Sequence, residues 1–248
     1  MPSPPPSDAV FLPQKPERHK PCRVRFTMKK TIILPAISLA VFSLAAEAQS
    51  ADAVIDRAVA AYNGLTSMRA EFRQTLTNPV TGTTQTASGV ILRKKPNLLS
   101  ITFNTGDRIT ADGATLWMYL PSSAPGQVVR MPYTGANASA VDPAEQFLDS
   151  PRSRFTVTSS GSATVGGRAT HILNLVPKRA NSAFTSAKVW IDDRDSSIRQ
   201  FDVETSNGLK RHVVITSFTP NPDLGKSSFR FAVPKGAKIV DQARGVVF

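Results

Sequence analysis

The sequence predicts a mainly β protein, of α+β type: a curled antiparallel meander of about ten or eleven strands with helices over its apolar face. Three observations carry this. From Met68 onward, apolar and polar residues alternate with period two, as in strands with one dry and one wet face. Turn signals recur at short, regular intervals. Strands do not alternate with long helical segments, which argues against a parallel α/β sheet.

The chain opens with a Pro-rich, basic stretch over residues 1–27 that has no periodicity and no means of building a core. It reads as a disordered or mis-assigned extension, with Met28 as the expected start. Met28-Lys29-Lys30, an apolar run over residues 31–44 and the small-residue exit Ala46-Glu47-Ala48 are the three parts of an export signal. Residues 28–48 are therefore expected to be removed. The alternative, a membrane anchor, needs roughly 18–20 apolar residues, and Pro35 interrupts this shorter run. The expected mature part, residues 49–248, is long enough for a single β domain with a sizeable core.

Residues 51–65 read as a helix, because Val54, Ile55, Ala58, Val59 and Tyr62 recur at three- and four-residue spacing. Asn63-Gly64 supplies its stop. In the first strand Met68, Ala70, Phe72 and Leu76 share one face, opposite Arg69, Glu71, Arg73 and Thr75. Asn78-Pro79 and Thr81-Gly82 turn the chain into a strand carrying Val90 and Leu92, with Arg93 expected outward. After Pro96-Asn97 comes a strand with Leu99, Ile101 and Phe103 on one face.

Further turns fall at Asn104-Thr105-Gly106, Asp112-Gly113, residues 121–126, Gly166-Gly167, residues 192–196 and Asn207-Gly208. Asp-Gly and Asn-Gly suit tight hairpins, whose central residues need positive φ. Between the turns lie β-rich runs at 115–120, 127–131, 169–177, 186–192, 198–204, 209–218 and 228–233. Ser159-Ser160-Gly161-Ser162 reads as a loop by composition. Residues 142–148 read as a short helix, with Asp142 as N-cap and Pro143 in the first turn. A sheet of this length curls, and the two amphipathic helices are the natural cover for its apolar side.

The chain has one cysteine, Cys22, in the segment expected to be lost, so the mature part has no disulfide or thiol chemistry. A lipidation cysteine near the expected cleavage point is also missing, so the mature chain is not expected to carry its own lipid. Its 23 basic and 15 acidic residues give a net charge of +8, scattered along the chain rather than in a block. Export disfavours nucleic acid as a partner; acidic headgroups or plain solvation account for the charge. His171 and His212 lie on different strands and lack metal-ligand spacing. Asp192-Asp193-Arg194-Asp195 lacks the ladder of a calcium loop. No nucleophile elbow or phosphate-binding Gly loop is present. No metal, cofactor or catalytic residue is expected.

The order of motifs resembles the periplasmic outer-membrane lipoprotein carrier proteins, the LolA family. After the opening helix come Ala70-Glu71-Phe72-Arg73-Gln74, Ser88-Gly89-Val90, Lys94-Lys95-Pro96-Asn97-Leu98, the run Ala111-Asp112-Gly113 through Tyr119, and the ending Asp223 to Phe231 followed by Val233-Pro234-Lys235-Gly236. The resemblance implies an unclosed antiparallel β-barrel with a helical lid over an apolar, lipid-binding cavity. It implies a periplasmic carrier that takes acylated lipoproteins from an inner-membrane ATP-driven release complex to an outer-membrane receptor. A monomer is expected. The family often has Arg before the Pro of the second-strand motif, where it holds the lid; this chain has Lys95. Lys lacks the planar fork of Arg, so Lys95 forms a weaker clasp, or Arg93 takes over, or the lid is held differently.

On this reading Phe72, Val90, Leu92, Leu99 and Ile101 line the cavity. Phe103, Val189 and Ile191 join them. Trp117 is counted with the lining, although both faces of its strand are apolar and the alternation leaves its direction open. Ordinary core is the alternative role for each. Two other functions compete. A lipid-sensing regulatory module would need a partner-binding domain beyond this length. A periplasmic hydrolase would need a convergent polar cluster, such as His171 or His212 facing a carboxylate in the pocket.

Overall fold

The computed structural model describes residues 50–179, 182 and 184–242, and the twelve strands among them belong to one sheet. The expected extension and export signal lie outside the described residues. In chain order the elements are α1 (Ala51–Gly64), β1 (Ser67–Asn78), β2 (Thr83–Lys94), β3 (Leu98–Phe103), β4 (Arg108–Asp112), β5 (Thr115–Tyr119) and β6 (Gln127–Pro132). Three short helices follow: α2 (Gly135–Val141), α3 (Pro143–Leu148) and α4 (Pro151–Arg154). The chain continues with β7 (Phe155–Val165), β8 (Arg168–Pro177), β9 (Ser186–Asp192), β10 (Ile198–Glu204), β11 (Lys210–Pro220) and β12 (Lys238–Asp241).

The sheet runs β12-β6-β5-β4-β3-β2-β1-β11-β10-β9-β8-β7. Every pairing is antiparallel except that of β12 with β6. The end strands β12 and β7 do not pair, so the barrel is unclosed. Register divides the residues between two faces, because a strand side chain alternates sides with period two. Ala70 opposes Ile91, which opposes Ile101, which opposes Ile109. These four share the inner face, where α1 and α3 pack with Val54, Ile55, Ala58, Phe147 and Leu148.

Local chemistry explains the helix ends. Ser50 accepts the Ala53 N–H and starts α1; Asp142 accepts the Ala144 N–H and starts α3, with Pro143 in its first turn. Phe147 seals α3 to the sheet, with its ring 5.1 Å from Phe201 and 6.0 Å from Phe184.

Three expectations need correction. Residues 228–233 do not form a strand. Lys226–Phe229 is a 3-10 turn, and the chain after it lies across the outer face. Its alternating aromatics are satisfied by packing: Phe229 is 1% exposed, and Phe231 stacks on Trp117 at 5.4 Å. Ser159-Ser160-Gly161-Ser162 is not a loop but the bulged middle of β7, where Gly161 takes φ 98°. Arg93 points inward, not outward, because its partner across β1 is Met68 of the inner face.

Candidate functional site: a covered apolar cavity

Under α1 and α3 the inner face leaves a cavity of about 160 Å³. α1 supplies Ala58, Ala61 and Tyr62, Leu65 follows at its C-terminal end, and α3 supplies Pro143, Ala144 and Leu148. The floor is Met68 and Ala70 of β1 with Ile91 of β2. Small residues make the space: alanines stand at positions 58, 61, 70 and 144, where larger side chains would fill it. Ile198, Phe201, Ile215 and Phe218 close the far wall.

One buried ionic knot joins the cover to the sheet. Arg93 Nε lies 2.8 Å from Asp142 Oδ2, and Arg93 Nη2 donates to Glu145 of α3. The guanidinium also sits 4.4 Å from the centroid of the Tyr62 ring in α1, and the Tyr62 hydroxyl donates to Asp142 at 3.3 Å. A single side chain on β2 therefore touches both covering helices. Burial pushes the Asp142 carboxyl above its ordinary range, against the pull of Arg93 and the Ala144 N–H. Burial likewise raises the Tyr62 hydroxyl, and Tyr133 nearby is pushed up to about 12. The Arg93 charge is disfavoured by burial, but Asp142, Tyr62 and Glu145 more than offset this.

Lys95 holds the same cover more lightly. Its Nζ donates to the Asn63 carbonyl at the end of α1, at 2.7 Å and exposed to solvent. Of the two residues expected to act as clasps, Arg93 makes the buried contacts and Lys95 an outer tether.

The nine residues expected to line the cavity divide differently. Phe72, Leu99, Ile101, Phe103, Val189 and Ile191 share the inner face and belong to or pack on the core beside the cavity, outside its wall. Val90, Leu92 and Trp117 are on the outer face, and their assignment to the lining is corrected. Val90 opposes Glu71 and Leu92 opposes Arg69, both on the wet side of β1. Trp117 opposes Thr110 and Arg130, and its Nε1 donates to Asp112. The sequence did carry a signal for the true wall: Ala58, Ala70 and Tyr62 fall on apolar faces recognisable from spacing alone. What it lacked was the register that makes Ile91, rather than its neighbours, the inner residue of β2.

Neither His171 nor His212 reaches the cavity wall. His171 Nδ1 pairs with Asp193, and His212 Nδ1 with Asp202 at 2.6 Å, across neighbouring strands or turns. No cluster of metal-ligating side chains occurs among the described residues.

The chain is similar to the outer-membrane lipoprotein carrier protein of Shewanella baltica strain OS155, with 28% identity over 206 residues, covering 82% of this chain and 91% of the relative. The corresponding protein of Methylobacillus flagellatus is 24% identical over 183 residues, covering 73% of this chain and 85% of its own. Among solved structures, an uncharacterised conserved protein from Thermus thermophilus shares the fold, with a TM-score of 0.52 and 15% identity over 78% of this chain and all of that one. The model of the family described as outer membrane lipoprotein carrier protein LolA matches residues 63–232, more than half of the chain. With the unclosed barrel and its helical cover in place, this match shows that the chain belongs to the LolA family.

Proposed function

We propose that this protein is a periplasmic carrier that shields the acyl chains of lipoproteins and delivers them from the inner to the outer membrane. It takes them from an inner-membrane ATP-driven release complex and hands them to an outer-membrane receptor, working as a monomer. The observation that carries this reading is the mostly apolar cavity under a cover that Arg93 and Lys95 tie to the sheet. Family membership supports the cargo, and the export signal supports the compartment.

The physics suits a carrier. Each buried CH₂ is worth about 0.8 kcal/mol, so a long acyl chain needs a shielded path through water. The covered cavity is smaller than the roughly 300–1,000 Å³ of typical ligand pockets, so the cover must shift to admit a chain. Lifting α1 and α3 loses their contacts with the sheet, and the incoming hydrocarbon replaces them. The lost helix contacts offset part of what the hydrocarbon gains, so cargo is held without being trapped. Apolar contact is non-directional, and no catalytic constellation is required.

The test has two readouts. A fluorescent acyl probe should bind saturably at one site. Spheroplasts incubated with the purified protein should release newly made lipoprotein into the soluble fraction. Probe binding that never saturates, together with no release above buffer, would overturn the proposal.

A further inference from the structure

The cavity runs across four neighbouring strands, from Ile91 of β2 past Ala70 of β1 and Phe218 of β11 to Ile198 of β10. On the β2 side Ala70 and Ile91 are buried, as is Ala58 of α1. On the β10 side Ile198 is half-buried; Phe218 and Leu65 are half-buried as well, and Pro220 at the end of β11 is exposed. Three consecutive polar residues, Asp195, Ser196 and Ser197, form the rim there. The one other polar wall residue, Tyr62, has its hydroxyl engaged by Asp142.

This rim is a rigid turn between β9 and β10. Asp192 accepts Arg168 Nε at 2.6 Å, Arg199 Nε at 2.8 Å and the Arg194 N–H at 2.8 Å. Asp195 takes the Nη2 atoms of the same two arginines, at 2.8 and 2.7 Å, and also accepts from the Ser197 N–H and hydroxyl. Asp192, Asp195, Arg168 and Arg199 thus pair with one another. The Ser196 hydroxyl has no partner among the described residues, and the residue is fixed at φ 57° in the cavity wall.

A hydrocarbon gains nothing from such a rim, whereas an acyl carbonyl can accept the Ser196 hydroxyl proton. We propose that acyl chains lie in the cavity with their carbonyl ends at the β9–β10 rim and their methyl ends against Ala58, Ala70 and Ile91, and that Ser196 meets the ester or amide group. This inference rests on the carrier reading above. The polypeptide attached to the lipid then leaves past Leu65 and Pro220 into solvent, so the size of the cargo protein is not limited by the cavity.

The test uses the full chain with Cys22→Ser and Ser196→Cys, labelled at position 196 with a small fluorophore. Methyl stearate carrying a nitroxide at carbon 5 should quench that label at least twice as strongly as the same ester carrying it at carbon 16. Saturable binding with equal or reversed quenching overturns the orientation and leaves the carrier reading intact. Saturable binding of the free acids but not of the esters shows a site for carboxylate charge and overturns the role of Ser196. Failure of every probe to bind saturably overturns both readings. In the unlabelled protein, Ser196→Ala should weaken ester binding about 2- to 10-fold. Unchanged affinity there also counts against the role of Ser196.

Discussion

Arg93 Nε stands 2.8 Å from Asp142 Oδ2, and the Asp142 side chain has no exposure to solvent. The pair joins an inner-face position of β2 to the first residue before α3, so it links sheet and cover directly. Such a pair adds little net stability over an apolar replacement, but removing one partner strands a buried charge. Arg93→Leu should therefore lose about 3–5 kcal/mol in urea unfolding. Asp142 can also escape burial if the cover lifts, so binding of a hydrophobic dye should rise at denaturant concentrations where wild type is silent. Arg93→Leu with Asp142→Leu should be more stable than Arg93→Leu alone. Its recovery will be incomplete, because Asp142 also caps α3. A double variant no better than the single one would show that the stranded charge is not the cause.

Phe72 packs directly on the backbone of Gly89. A β-carbon at Gly89 would lie 2.8 Å from the Phe72 ring and also meet the Thr102 carbonyl of β3. The ring in turn meets Phe103 edge-on at 5.3 Å. Gly89→Ala should destabilise by about 1–3 kcal/mol, since a backbone carbonyl cannot move aside as a flexible side chain can. Chemical unfolding measures this. Gly82→Ala is a poor control because Gly82 has φ 68°; Gly64→Ala, with open space around its β-carbon, should cost less.

The two faces of the sheet should answer differently to mutation. Phe218→Glu places a charge in the cavity wall and should weaken binding of a fluorescent acyl probe at least tenfold. Trp117→Ala removes the stack with Phe231 on the outer face and should leave probe affinity within about twofold while lowering stability by roughly 1–3 kcal/mol. Probe titration and thermal unfolding of the same two proteins settle the point. Equal losses of affinity would mean that the division into faces does not govern binding.

Much of the architecture was legible in the residues, for physical reasons that also mark where legibility stopped. Period-two alternation identified β1 because Arg69, Glu71 and Arg73 are charged and Met68, Ala70 and Phe72 are not. On β2 the same pattern misled. Val90 and Leu92 are apolar on the outer face, while the inner face carries Gly89 and Arg93, a small residue and a charge. Both exceptions have tertiary causes: Gly89 makes room for Phe72, and Arg93 reaches the covering helices. The C-terminal segment shows the same limit. Phe229 and Phe231 alternate as in a strand, yet they pack upon the sheet instead of pairing within it. The position of the cavity depended on which alanines face one another across α1, α3 and β1, which no local spacing encodes.

The β9–β10 rim should respond to acid in a calculable direction. Burial opposes the charge on Asp192, but the Arg168 guanidinium, the Arg194 N–H and Arg199 outweigh it and hold the carboxyl well below the usual range. The folded state therefore releases this proton more readily than the unfolded chain. At pH values below the unfolded carboxyl value of about 3.9, the unfolded chain binds more protons, and the stabilisation from Asp192 fades as pH falls toward the folded value. Asp192→Asn cannot ionise, so it should unfold at a lower temperature than wild type near neutral pH, and the gap should narrow below about pH 4. Asp107 and Asp112 are also held low by their hydrogen bonds, so wild type and variant will both weaken in acid. The difference between them isolates the single carboxylate. Thermal unfolding followed by circular dichroism from pH 7 to about pH 2.5 measures it. A gap that stays constant across that range would show that Asp192 holds the turn by hydrogen bonding alone, without its charge.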